Sequence, residues 1–179
     1  MTSAPAIELR SYVDLAAVRS DLLDIYAEVR APLLHLANYS ISSFGERLDR
    51  HGSEPGFQAV LAYEGERPVG YAYGNKIEDG DRYWQRASPA PAEVYTAQPA
   101  LALKEIGVSP SWRGTGVARR IHDALLADRA ELNVTLMVNE AAGDGKVHAL
   151  YQAWGYTDIG YSQPSPASPR LTVMIRSTR

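Results

Sequence analysis

Apolar positions change period along the chain, and the changes mark its elements. Ile7 to Arg10 reads as a short strand. Asp14 then precedes Leu15, Val18, Leu22, Ile25 and Val29, whose helical spacing predicts an amphipathic helix capped by the aspartate and stopped or kinked at Pro32. A second helix is predicted from Ser42 or Ser43 through Leu48, ending before the Gly52 to Gly56 turn cluster. Phe57 to Tyr63 and Val69 to Tyr73 are β-type runs joined by a polar turn holding Gly65 and Pro68, and they predict a hairpin.

Residues 77 to 100 keep no period. They are rich in Pro, Ala and charge, and hold Tyr83, Trp84 and Tyr95. A connection this long inside one domain predicts a functional lid or binding loop. The pattern then resumes. A strand is predicted over Leu101 to Val108, a helix over Gly116 to Asp128 with Val117, Ile121, Ala124 and Leu125 on its apolar face, and a strand over Val134 to Val138. A last helix runs from about Lys146 to Trp154 and is closed by Gly155. Strands near Tyr156 to Tyr161 and Leu171 to Arg176 flank a Pro/Ser loop. The element order is mixed α+β with a βαβ unit in the second half and no internal repeat.

A length of 179 residues suits a single domain with a core of its own. The formal charge of -3, without a dense Lys/Arg run, provides no field for nucleic acid. The N-terminus lacks the basic flank and apolar run of a secretion signal, and no apolar stretch approaches the roughly 20 residues of a membrane helix. These features predict a cytoplasmic protein with neither a membrane nor a nucleic-acid partner, and leave a homodimer open. The chain has no cysteine, so disulfides, thiolate nucleophiles and thiolate metal sites are excluded together. His35, His51, His122 and His148 lack metal-ligand spacing and read as surface or core histidines.

Chemistry concentrates in Ile106-Gly-Val-Ser-Pro-Ser-Trp-Arg-Gly-Thr-Gly-Val-Ala118, a strand running through a glycine-bearing turn into a helix. Such a helix start offers unpaired backbone N–H groups and the positive end of the macrodipole to a phosphate. Gly114 and Gly116 permit close approach, Ala118 keeps the first turn small, and Arg113 adds charge beside the turn. The Rossmann pattern fails because Arg119 replaces its third glycine. The P-loop pattern fails around Gly143-Asp-Gly-Lys146, which Val147 follows. Gly107, inside an apolar strand, marks a bulge or a close backbone approach.

The segment resembles the R/Q-x-x-G-x-G/A signature of the GNAT acetyltransferases at Arg113, Gly116 and Ala118. The resemblance extends to Asn139 at the end of the next strand and to Ala149-Leu-Tyr-Gln-Ala-Trp-Gly-Tyr156, similar to the family's L-Y-x-x-x-G-F/Y helix end. It implies a mixed, mostly antiparallel twisted sheet of six to seven strands flanked by helices, with a splayed central strand pair, and acetyl-CoA as cofactor. It further implies that coenzyme A lies on Arg113, Gly114, Thr115, Gly116, Val117 and Ala118, with Arg119 and Asn139 nearby, and that its pantetheine pairs with the strand at Ile106, Gly107 and Val108.

Tyr151 resembles the family's tyrosine that protonates the departing thiolate, a role suited to a phenol that stays protonated at neutral pH. The competing reading places Tyr151 in an apolar stripe with Val147, Leu150 and Trp154, where it is simply core. Glu105 is the candidate base, alongside the alternative that it only pairs with Lys or Arg. The family's acceptor site maps to residues 21 to 51 and 77 to 100, whose acids and aromatics, Glu28, Tyr83, Trp84 and Glu93 among them, suit a small cationic amine. A peptide acceptor and a non-catalytic acyl-CoA sensor stand as the alternatives.

Overall fold

The computed structural model describes residues 6–163 and 165–179. The first five residues, part of the N-terminal stretch read above for a leader, and Pro164 of the Pro/Ser loop lie outside them. Seven strands, β1 (Ile7–Tyr12), β2 (Gln58–Glu64), β3 (Arg67–Ile77), β4 (Ala100–Val108), β5 (Asn133–Asn139), β6 (Thr157–Ser162) and β7 (Leu171–Ser177), take the sheet order β1-β2-β3-β4-β5-β7-β6. The helices are α1 (Arg19–Val29), α2 (Ile41–Gly52), α3 (Arg82–Gln85), α4 (Glu93–Thr96), α5 (Val117–Ala127) and α6 (Lys146–Ala153). The chain falls into two compact units, residues 1–75 with 104–128 and residues 76–103 with 129–179.

In the first unit, β1 pairs antiparallel with β2, and β2 with β3. Every residue of β2 except Glu64 is buried, which is why that run is continuously apolar rather than alternating. Ala59, Leu61 and Tyr63 meet Leu22, Ile25, Tyr26 and Val29 of α1 and Phe44 and Leu48 of α2 in one core cluster. The Tyr26 and Phe44 rings stack at 3.8 Å. Asp14 caps, but what it caps is a 3-10 turn over Leu15–Ala17; the α-helix starts only at Arg19 because Val18 leaves helical geometry. Pro32 lies inside a second 3-10 turn, after α1 has already ended at Val29.

In the second unit, β4 and β5 run parallel over Ala100↔Asn133, Leu101↔Val134 and Ala102↔Thr135, a ladder limited to the first three residues of each strand. Antiparallel ladders join β5 to β7 and β6 to β7. The segment before β4, read as a lid or binding loop without a period, has secondary structure of its own. It folds into α3 and α4, and Tyr83, Trp84 and Ala87 join Ala100, Ala102, Val173 and Ile175 in a core cluster. The physical reason is the burial of two large rings, with the Tyr83 hydroxyl 3.1 Å from Thr135 Oγ1. No helix among the described residues is long and apolar enough to cross a membrane.

Candidate active site

Between β4 and α5 the chain makes a 3-10 turn over Pro110–Trp112, extends at Arg113, and enters the helix through Gly114, Thr115 and Gly116. Both glycines have positive φ, 75° and 85°. Gly116 is the N-cap residue and no side chain caps the helix. The amides of its first turn therefore lack the partner that a Ser or Asp cap supplies. A Cβ built on Gly114 or Gly116 meets nothing within 4 Å, so the space above the turn is open. An uncapped positive helix end beneath open space fits a pyrophosphate.

The side chains around this turn serve it differently from the sequence reading. Arg113 does more than add charge beside the glycines: its guanidinium donates to the carbonyls of Val108 (3.3 Å) and Val29 (3.4 Å), bracing the end of β4 against the end of α1. Thr115 Oγ1 donates to the Trp112 carbonyl, tightening the turn. Arg119 is held by Asp123 at 3.0 Å, and Val117 is buried. Ser109, just after β4, is buried and donates to Glu28 Oε1 at 2.7 Å.

Glu105, on the same strand, sits in a network that the sequence did not reveal. Its Oε2 accepts from the Tyr71 hydroxyl at 3.2 Å and lies 3.6 Å from Arg30 Nη2, while Oε1 lies 3.9 Å from Arg47 Nη2. Burial, reinforced by this carboxylate, pushes the Tyr71 phenol well above its usual pKa, so it stays a donor. The pairing half of the Glu105 reading is thus present, with named partners. Arg30 ends α1 and Arg47 lies within α2; in the sequence both look like ordinary helix cations. The one signal was a charge inside an apolar strand, which had to have a partner.

Gly107 also finds its explanation. A Cβ there would stand 2.8 Å from Val29 Cγ1 and 3.0 Å from Tyr71 Cε1. Glycine makes room for side chains from α1 and β3, and its carbonyl lies close to Gly70 of β3. Its neighbours Ile106 and Val108 are half-buried and buried.

In the second unit, Tyr151 is the one buried residue of α6. Its ring meets Trp154 and Tyr156 edge-on at 5.7 and 5.8 Å. Leu150 is 43% exposed, so the expected core stripe through Val147, Leu150, Tyr151 and Trp154 does not form. Asn139 turns its Oδ1 onto the Ala141 amide at 3.0 Å, shaping the turn after β5. Glu93 is exposed in the first turn of α4. Tyr83 and Trp84 are core residues, and in the first unit Glu28 is committed to Arg67 and Ser109. Of the residues read as an amine site, the two rings are thus buried and Glu28 holds a cation, while Glu93 faces outward.

The model of the acetyltransferase (GNAT) family matches residues 19–156. A search of curated proteins found no match. Among solved structures, a protein assigned to the GNAT acetyltransferases from Desulfovibrio desulfuricans aligns with a TM-score of 0.67 at 15% identity, over 97% of this chain and 100% of that one. The ribosomal-protein-S18-alanine N-acetyltransferase of Escherichia coli aligns at 0.65 and 13%, over 97% and 94%. An aminoglycoside 6'-acetyltransferase type Ii aligns at 0.64 and 16%, over 97% of each. At these identities the likeness is one of fold.

Proposed function

The chain belongs to the acetyltransferase (GNAT) family, and on that premise we propose that it transfers acetyl from acetyl-CoA to the primary amine of a small molecule by direct attack within a ternary complex. The observation that carries this reading is the uncapped start of α5, with open space over two positive-φ glycines. The backbone amides from Gly114 to Ala118 hold the pyrophosphate of coenzyme A. Arg113 keeps that turn in shape through the two carbonyls it braces, and so acts without touching the phosphate.

Bound acetyl-CoA supplies the acetyl group, whose bond to sulfur is exchanged for one to the acceptor nitrogen. The acceptor arrives as an ammonium and must lose a proton before it can attack. We assign that proton to the Glu105 carboxylate, whose place beside Ile106 sets it at the strand assigned to the pantetheine. Tyr151 Oη is assigned as the donor that protonates the departing thiolate. Direct transfer follows from the absence of cysteine, which leaves no evident side chain to carry the acetyl group.

Initial rates of thiol release, over a panel of small primary amines at several fixed acetyl-CoA concentrations, test this. Intersecting reciprocal plots with a soluble acetylated amine are expected. Parallel plots with an isolable acetyl-enzyme, or turnover confined to peptide amines, would overturn it.

A further inference from the structure

The groups around Glu105 are mostly cations, in a chain whose net charge is -3. Arg30 and Arg47 flank the carboxylate at 3.6 and 3.9 Å. No other carboxylate of the described residues lies within 4 Å of either guanidinium.

His51 also feels the charge of Arg47. Its Nδ1 lies 3.0 Å from the Tyr73 hydroxyl. Burial first, then the charges of Lys104, Arg50 and Arg47, pull its pKa down to about 3, so the ring is neutral at physiological pH. The guanidiniums of Arg30 and Arg47 thus share the single carboxylate of Glu105, and the neutral His51 ring adds no charge of its own.

The two arginines differ in how far they are used. Arg47 Nη1 donates to the Asn38 carbonyl at 2.9 Å. Arg30 donates no side-chain hydrogen bond among the described residues, and its 3.6 Å approach to Glu105 is an ion pair without one. Its side chain is 33% exposed. A guanidinium has five donors in a planar fork, matched to a carboxylate. Arg30 keeps this fork half-sheltered and spends none of its donors on a side-chain hydrogen bond, so they are left to an anion.

We propose that the acceptor is an amine that also carries a carboxylate, as an amino acid does, with the carboxylate held by Arg30 beside Arg47 and the amine turned to Glu105. The inference rests on the assignment of Glu105 to the acceptor side of the transferase. It adds a carboxylate to the small cationic amine that the acids and aromatics of the sequence suggested. One carboxylate and a guanidinium that donates no side-chain hydrogen bond, 3.6 Å apart, are complementary to a zwitterion and not to a polyamine.

The test compares amino acids with apolar, aromatic, acidic and basic side chains, each as the free acid, the methyl ester and the corresponding amine without the carboxyl group. With acetyl-CoA saturating, kcat/KM for the best free acid should exceed that of its ester and amine by at least about tenfold, the loss of one charge-assisted contact. In Arg30→Gln that ratio should collapse toward one, chiefly through KM for the acid, and Arg30→Lys should restore part of it. A ratio is read on one folded preparation and is insensitive to a partial loss of protein. Equal or better turnover of the carboxylate-free amines sinks this inference while leaving the transferase reading intact. So does a ratio unchanged in Arg30→Gln. Absence of thiol release with every amine, in protein that still binds acetyl-CoA, overturns both.

Discussion

Tyr151 is where packing and chemistry can be separated at a single atom. It is 8% exposed while its neighbour Leu150 is 43% exposed, so the helix buries this one ring rather than an apolar stripe. Tyr151→Phe keeps the edge-on contacts with Trp154 and Tyr156 and removes only the hydroxyl. As the proton donor, Tyr151 should give a variant with turnover reduced by about 10- to 1000-fold, acetyl-CoA affinity within a few fold, and an unchanged melting temperature. Full turnover with a lowered melting temperature would make Tyr151 a packing residue alone. Its place on α6 was legible in the sequence because the L-Y-x-x-x-G-Y spacing is local. The Glu105 network was not, because Arg30, Arg47 and Tyr71 reach it from three different elements and no spacing along the chain links them.

At the scale of elements, helices and strands followed from period and punctuation wherever a segment has one buried face. The Phe57–Tyr63 and Val69–Tyr73 hairpin and the α5 helix were legible on that basis; the fold of residues 77–100 was not. Two helices of four residues each are too short to show a period, and they are held by tertiary burial of Tyr83 and Trp84. Gly107 was legible as special but not why. Its function in β4 is steric, and the sign of a substitution tests this. Alanine at an unstrained position ordinarily stabilises through the unfolded chain, by about 0.4–1 kcal/mol. Here the new Cβ would press on Val29 and Tyr71 at 2.8 and 3.0 Å. Gly107→Ala should therefore destabilise, by about 1–3 kcal/mol in denaturant titration; a neutral or stabilising result would show that the strand has slack there.

For the molecule as a whole, the family and the chemistry of acetyl transfer were legible because the strand, turn and helix that carry them are consecutive in sequence. The surroundings of Glu105 were not legible, for the opposite reason. Composition placed acids near the expected site, whereas the fold ties Asp21 to Tyr63 and Glu28 to Arg67 and Ser109, and leaves arginines around Glu105. The central claim is that coenzyme A is held by the backbone at the start of α5. Calorimetric titration of acetyl-CoA into the wild-type protein, Gly116→Glu and Gly65→Glu measures it directly. Gly65 is also a positive-φ glycine with open space above it, in the β2–β3 turn, so it controls for backbone strain alone. With all three proteins shown to be folded, Gly116→Glu should lose at least about tenfold in affinity, or about 1.4 kcal/mol, while Gly65→Glu binds as the wild type does. Unchanged binding by Gly116→Glu would contradict the account and place the cofactor elsewhere.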